Sequence, residues 1–86
     1  MFGRRHDQRP PLERALDAAG GLKPGAWPSV EALALLSIEA KGRPVAEQLY
    51  QSALEASAGL SEGSWDSVRA LAWLARAERE LHSTGD

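Results

Sequence analysis

The sequence predicts an all-α protein of four helices arranged as two successive helical hairpins. Apolar residues recur at helical spacing, with no alternating runs. Each apolar segment is bounded by proline or serine on entry and glycine on exit. The chain also repeats itself. Residues 15–40 (ALDAAGGLKPGAWPSVEALALLSIEA) and 53–78 (ALEASAGLSEGSWDSVRALAWLARAE) agree at 13 of 26 positions, at an offset of 38 and without a gap. Abundant alanine and leucine inflate such a match. The pairing of Trp27 with Trp65 does not share that weakness, because the chain has only three tryptophans.

The first helix is expected over 11–19, with Pro11 at its first position and Gly20-Gly21 as its stop. Its apolar stripe is Leu12, Ala15, Leu16 and Ala19. The second is expected over 28–41, ending at Gly42. Val30, Leu33, Ala34, Leu35, Leu36 and Ile38 spread around most of its circumference, so it belongs in the centre, covered on several sides. The link Gly42-Arg43 is so short that the third helix, over 44–58, must return antiparallel. That helix has one apolar face, Val45, Ala46, Leu49, Tyr50, Ala53 and Ser57, with Glu47, Gln48, Gln51 and Glu55 opposite. The fourth starts at the cap Ser64, has Asp66 in its first turn, and runs to about residue 82. Its core stripe reads as Val68, Leu71, Ala72, Leu74 and Ala75. Trp27 and Trp65, at matching helix entrances, are expected in the core, as are Leu33, Leu36 and Leu71.

With 86 residues the chain makes one domain, over 11–86, preceded by a flexible basic arm over 1–10. It has no cysteine, which excludes disulfides, thiolate metal sites and cysteine nucleophiles. The longest apolar stretch, 32–38, is too short to span a bilayer, and no apolar region adjoins the basic N-terminus. A cytoplasmic protein with no membrane association is expected. Arginine outnumbers lysine eight to two, and with fifteen alanines this bias suggests a GC-rich bacterial genome. The arm balances to +2 and residues 11–86 to −4, so nucleic acid is an unlikely main partner.

No catalytic constellation is visible, and an enzyme is not expected. His6 lies in the arm and His82 at a helix end, neither with a partner at ligand spacing. Glu31 and Glu39 share a helix face but form no metal-binding pattern, and no glycine loop cradles phosphate. No cofactor and no metal are expected. The arm's Arg4, Arg5 and Arg9 offer bidentate contacts to phosphate or an acidic surface, or form a plain disordered leader.

The informative residue is Trp73. It lies off the expected core stripe, at angles shared with Arg69, Arg76 and Glu80. Its counterpart in the first repeat is Leu35, between Glu31 and Glu39 with Ile38 beside it. Each repeat thus sets an apolar residue on a charged face, and Glu31 matches Arg69 with reversed sign. Trp73, Arg69, Arg76, Leu35, Ile38 and Glu31 are therefore the candidate partner-binding residues. Two copies pairing about a two-fold axis through the fourth helix, with Trp73 as anchor, is the expected use.

Helical hairpins repeating every 34 to about 40 residues characterise α-solenoids. Ala46, Tyr50 and Ala53-Leu54 resemble the second helix of a tetratricopeptide repeat, and Gly42 the glycine between its two helices. The resemblance covers residues 28–86. The period of 38 and the absence of Trp-x-x-Leu-Gly in the first helix depart from that family. It implies a short α-solenoid that acts as an interaction scaffold and holds a peptide on a concave face. A closed four-helix bundle is the alternative fold. The expected function is a non-enzymatic interaction module that binds a protein segment or a second copy, as a homodimer. The alternative function is a small regulatory module whose arginine arm contacts nucleic acid or an acidic partner.

Overall fold

The structure, a computed structural model, describes residues 8–82. Among these it is all-helical, with no strand: α1 (Pro11–Gly20), α2 (Trp27–Glu39), α3 (Pro44–Ala58) and α4 (Trp65–His82). The expected arm, with Arg4, Arg5 and His6, lies mostly outside the described residues. Arg9 is described, and its guanidinium meets Asp17 at 3.3 Å.

Local chemistry sets each start. Proline occupies the first turn of α1, α2 and α3, where its missing N–H leaves no helical bond unmade. The fourth helix opens instead with a reciprocal capping box. The Ser67 N–H donates to Ser64 Oγ at 3.2 Å, and the Ser64 N–H to Ser67 Oγ at 3.2 Å. At the start of α2 only half of that box exists. The Ala26 N–H donates to Ser29 Oγ at 3.1 Å, and alanine has no side-chain oxygen to return the bond. Between α2 and α3 the chain reverses through Gly42 at φ +94°, a backbone region that residues carrying a Cβ rarely adopt. The Arg43 N–H closes this turn on the Ala40 carbonyl at 2.9 Å.

The helix directions are set by contacts at their ends. The Trp27 indole N–H donates to the Ser61 carbonyl at 2.8 Å, just ahead of α4. Near the other end of the same seam, Lys41 Nζ meets Glu80 at 3.3 Å. So α2 and α4 lie side by side and run the same way. The His82 ring meets Glu47 at 2.8 Å, which joins the end of α4 to the start of α3 and makes that pair antiparallel. Arg43 meets Glu13 at 2.6 Å, which draws the starts of α1 and α3 together. The second helix packs against all three others, as its all-round apolar pattern predicts.

Alanine dominates the core. Ala34, Ala53, Ala70 and Ala77 are fully buried, alongside Val30 and the larger Trp27, Tyr50 and Leu74. Small side chains let α2 and α4 approach closely. The molecule is correspondingly thin. Its radius of gyration is 14.5 Å, against about 12 Å for a compact domain of this length. Its smallest extent is 17 Å, close to the depth of two packed helices (roughly 14 Å).

The expectations for the three leucines, for the core stripe of α4 and for Trp65, which is exposed, need correction. Leu33, Leu36 and Leu71 are half-buried, because only two layers of helix are available to cover them. The core face of α4 is Ser67, Ala70, Leu74 and Ala77, and of the expected stripe only Leu74 is buried. Ala72 and Ala75 are exposed and Val68 is 53 % exposed. This helix is apolar on two faces, and its larger side chains favour the face that the fold leaves open.

A core of this kind tolerates no added volume. Ala70→Leu is expected to destabilise by about 1–3 kcal/mol, and Ala18→Leu, at an exposed site on α1, by less than about 0.5 kcal/mol. Thermal denaturation followed by circular dichroism measures both. Equal melting temperatures for the two variants would mean that α2 and α4 do not meet at Ala70.

Candidate interaction surface

Of the six sequence-predicted residues, the structure brings Glu31, Ile38, Arg69 and Trp73 to the seam between α2 and α4, while Leu35 lies elsewhere on α2 and Arg76 is exposed on α4. Glu31 and Arg69, 38 positions apart, form an ion pair at 3.0 Å. Arg69 also reaches Asp66 at 3.4 Å, and Arg76 reaches Glu80 at 3.6 Å. Glu31, Leu35, Ile38 and Trp73 are half-buried, and Ile38 and Trp73 pack against the core cluster. Trp73 is therefore held by its own chain on one side. On its other side it lines a shallow cleft of about 440 Å³ with Ala72, Ala75 and three arginines, Arg69, Arg76 and Arg79.

The exposed tryptophan is Trp65, which the sequence pattern assigns to the core. Trp27 is 8 % exposed and Trp65 is 84 % exposed. The difference comes from the chain that lies over each one. Trp27 is covered by the segment leading into α4, which accepts its indole N–H at Ser61. Among the described residues no equivalent segment lies over Trp65. The same asymmetry runs down the helices at the repeat offset. Val30, Ala34 and Ser37 are fully buried on α2, while their counterparts Val68, Ala72 and Ala75 are exposed on α4. Together with Trp65 these three form a continuous apolar strip at spacings of three and four residues along the outer side of α4. A cleft of about 270 Å³ lies beside Trp65, lined by Gly63, Ser64 and Val68.

An odd apolar residue on a charged face points to Trp73. The stronger signal is Trp65, Val68, Ala72 and Ala75, a stripe as regular as the core stripe. Only knowledge of which stripe is covered tells the two apart.

His82 has more company than its place in the sequence suggests. Its Nε2 lies 2.8 Å from Glu47 Oε1, and its ring meets the Tyr50 ring edge-on at 5.0 Å. The Gln51 amide donates to the other Glu47 oxygen at 2.9 Å. These hydrogen bonds, Gln51 first and then His82, hold the Glu47 carboxyl below its ordinary pKa. Burial, with the nearby Glu78 and Glu47 charges, pushes the Tyr50 phenol up. The cluster ties the last turn of α4 to α3.

Among the described residues no three histidine, cysteine or carboxylate groups come together in a way that holds a metal ion. No helix among them is long and apolar enough to cross a membrane. Compared with known protein families, with curated proteins and with solved structures, the chain matches none.

The two equivalent tryptophans make opposite predictions. Trp27→Ala is expected to cost about 3–5 kcal/mol. Trp65→Ala is expected to change stability by no more than about 0.5 kcal/mol. Urea denaturation of dilute protein compares them. Similar losses for both would place Trp65 in the core after all.

Proposed function

We propose that this chain is a non-enzymatic, helical-repeat interaction module, tetratricopeptide-like in plan, that holds a protein partner on the outer face of α4. The plan is supported by the arrangement of three helices. Two parallel helices, α2 and α4, lie side by side, and α3 returns antiparallel between them, as in successive hairpins of an α-solenoid. The radius of gyration above that of a compact domain favours this plan over a closed bundle, which hides its apolar faces on all sides.

The observation that carries the function is the strip of Trp65, Val68, Ala72 and Ala75. An exposed tryptophan and valine in register with small residues form an apolar patch on the side of α4 that its own chain leaves open. Three arginines, Arg69, Arg76 and Arg79, line a cleft together with Ala72 and Ala75 of the strip. Arginine and tryptophan together are the side chains that contribute most where protein surfaces meet. Charged pairs at such a border set orientation and contribute little to affinity.

A photo-crosslinking residue placed in cells at Ala72, on the strip, is expected to give a discrete heavier adduct. The same residue at Glu55, on the polar face of α3, is expected to give none. Equal adduct yields at both positions, or none at either, would overturn the assignment of this face.

A further inference from the structure

We propose that the partner of the α4 face is the opposite end of a second copy of this chain, so that copies join head to tail. This occupant presupposes that the α4 face is the interaction surface. The template for the junction is already inside the molecule.

Within one chain, the face of α2 bearing Trp27, Val30, Ala34 and Ser37 is covered by the segment at Leu60-Ser61 and by the face of α4 bearing Ala70, Leu74 and Ala77. Moving every residue by the repeat offset exposes both halves of this junction at the two ends of the molecule. The covered half becomes Trp65, Val68, Ala72 and Ala75, which is open. The covering half becomes Leu22-Lys23 with Ala32, Leu36 and Glu39 of α2, and this is open too. Leu60 packs against the core, whereas its counterpart Leu22 is 72 % exposed. Ala70 is fully buried and its counterpart Ala32 is exposed. An apolar cleft of about 90 Å³ on this end is lined by Leu22, Lys23, Ala32 and Leu36. The two large hydrophobic side chains most exposed among the described residues, Trp65 and Leu22, are thus the two missing partners of a single contact.

The charges agree. Inside the chain Glu31 pairs with Arg69 across the seam. Between copies the same register brings Arg69 to Glu31 of the next copy, with the signs exchanged and attraction kept. Where Ala77 sits in the internal junction, the open end carries Glu39, and the facing helix brings Arg76 and Arg79. Arg79 is in none of the ion pairs formed among the described residues, and Glu39 of the next copy is its expected partner in this junction. The first helix fits as well. Its Leu12 and Ala15 stand 38 positions before Tyr50 and Ala53, and are half-buried where those two are buried. In the assembly α1 of the next copy lies against α4 as α3 lies against α2. Such a junction uses two different surfaces, so it closes into a ring or extends into a filament rather than stopping at a two-fold dimer.

The test uses Trp65→Glu and Leu22→Glu, both at exposed positions, with folding checked by circular dichroism. In sedimentation over micromolar to millimolar concentrations, the wild type is expected to exceed the mass of a dimer. Each variant alone is expected to be monomeric. An equimolar mixture is expected to form dimers and nothing larger, because one intact junction remains per pair. A wild type that associates while the mixture stays monomeric would overturn the head-to-tail geometry in favour of a two-fold one. A wild type that stays monomeric throughout would overturn self-association. The crosslink at Ala72 then separates the two readings: a foreign protein captured there leaves the interaction module standing, and no face-specific adduct removes both.

Discussion

The seat of Trp27 holds the fold together. Its indole is buried at the entrance of α2, and its N–H is satisfied by the Ser61 carbonyl at 2.8 Å, 34 residues further along the chain. A buried tryptophan removes roughly 150–250 Å² from water, worth about 4–6 kcal/mol. An unmet indole N–H in the same place costs about 1–3 kcal/mol. Both depend on one backbone carbonyl in the connection between α3 and α4. That connection is thereby fixed over the start of α2, and α4 begins where the seat ends. This anchor fixes where α4 starts against α2, and the Lys41–Glu80 and His82–Glu47 contacts then hold its direction and its return against α3.

Beyond the anchor, close approach replaces bulk. Ala34, Ser37, Ala70 and Ala77 line the seam and are inaccessible to solvent. The Ser37 hydroxyl donates to the Ala34 carbonyl at 2.6 Å, so a polar side chain is buried there without an unmet bond. The seam is edged by Glu31 with Arg69 and by Lys41 with Glu80. Exposed pairs of this kind contribute about 0–1 kcal/mol each and set register more than strength. A fold that depends on small residues and one aromatic seat has little to spare. It gains stability wherever another unit covers its ends, which is the usual situation in stacked helical repeats.

The helices are legible in the sequence to within two residues, because their limits are local. Pro11, Pro28, Pro44 and the Ser64–Ser67 box act within one turn, and Gly42 forces the reversal that makes α2 and α3 a hairpin. The single apolar face of α3 and the central place of α2 are legible for the same reason: each has a one-valued pattern. The phase of α4 is not. It carries two apolar faces of equal regularity, and a stripe does not reveal what covers it. Trp27 and Trp65 look equivalent because the repeat makes them so, and their burial differs because only Trp27 has a described unit over it. The contact of His82 with Glu47 joins residues 35 apart, a distance that local spacing does not reach. Trp73, singled out by the sequence, does sit on the seam, but it is half-buried against its own core.

Trp27 fills a seat within the chain, and we propose that a neighbouring copy supplies the same seat to Trp65. Hydrogen exchange of the indole N–H groups, followed by NMR on the wild-type protein at increasing concentration, tests it directly. The Trp27 indole is expected to be protected at every concentration, and the Trp65 indole to exchange freely in dilute solution and gain protection as copies join. A Trp65 indole that gains no protection at any concentration, or a Trp27 indole that exchanges as fast as Trp65 in dilute solution, would contradict the account.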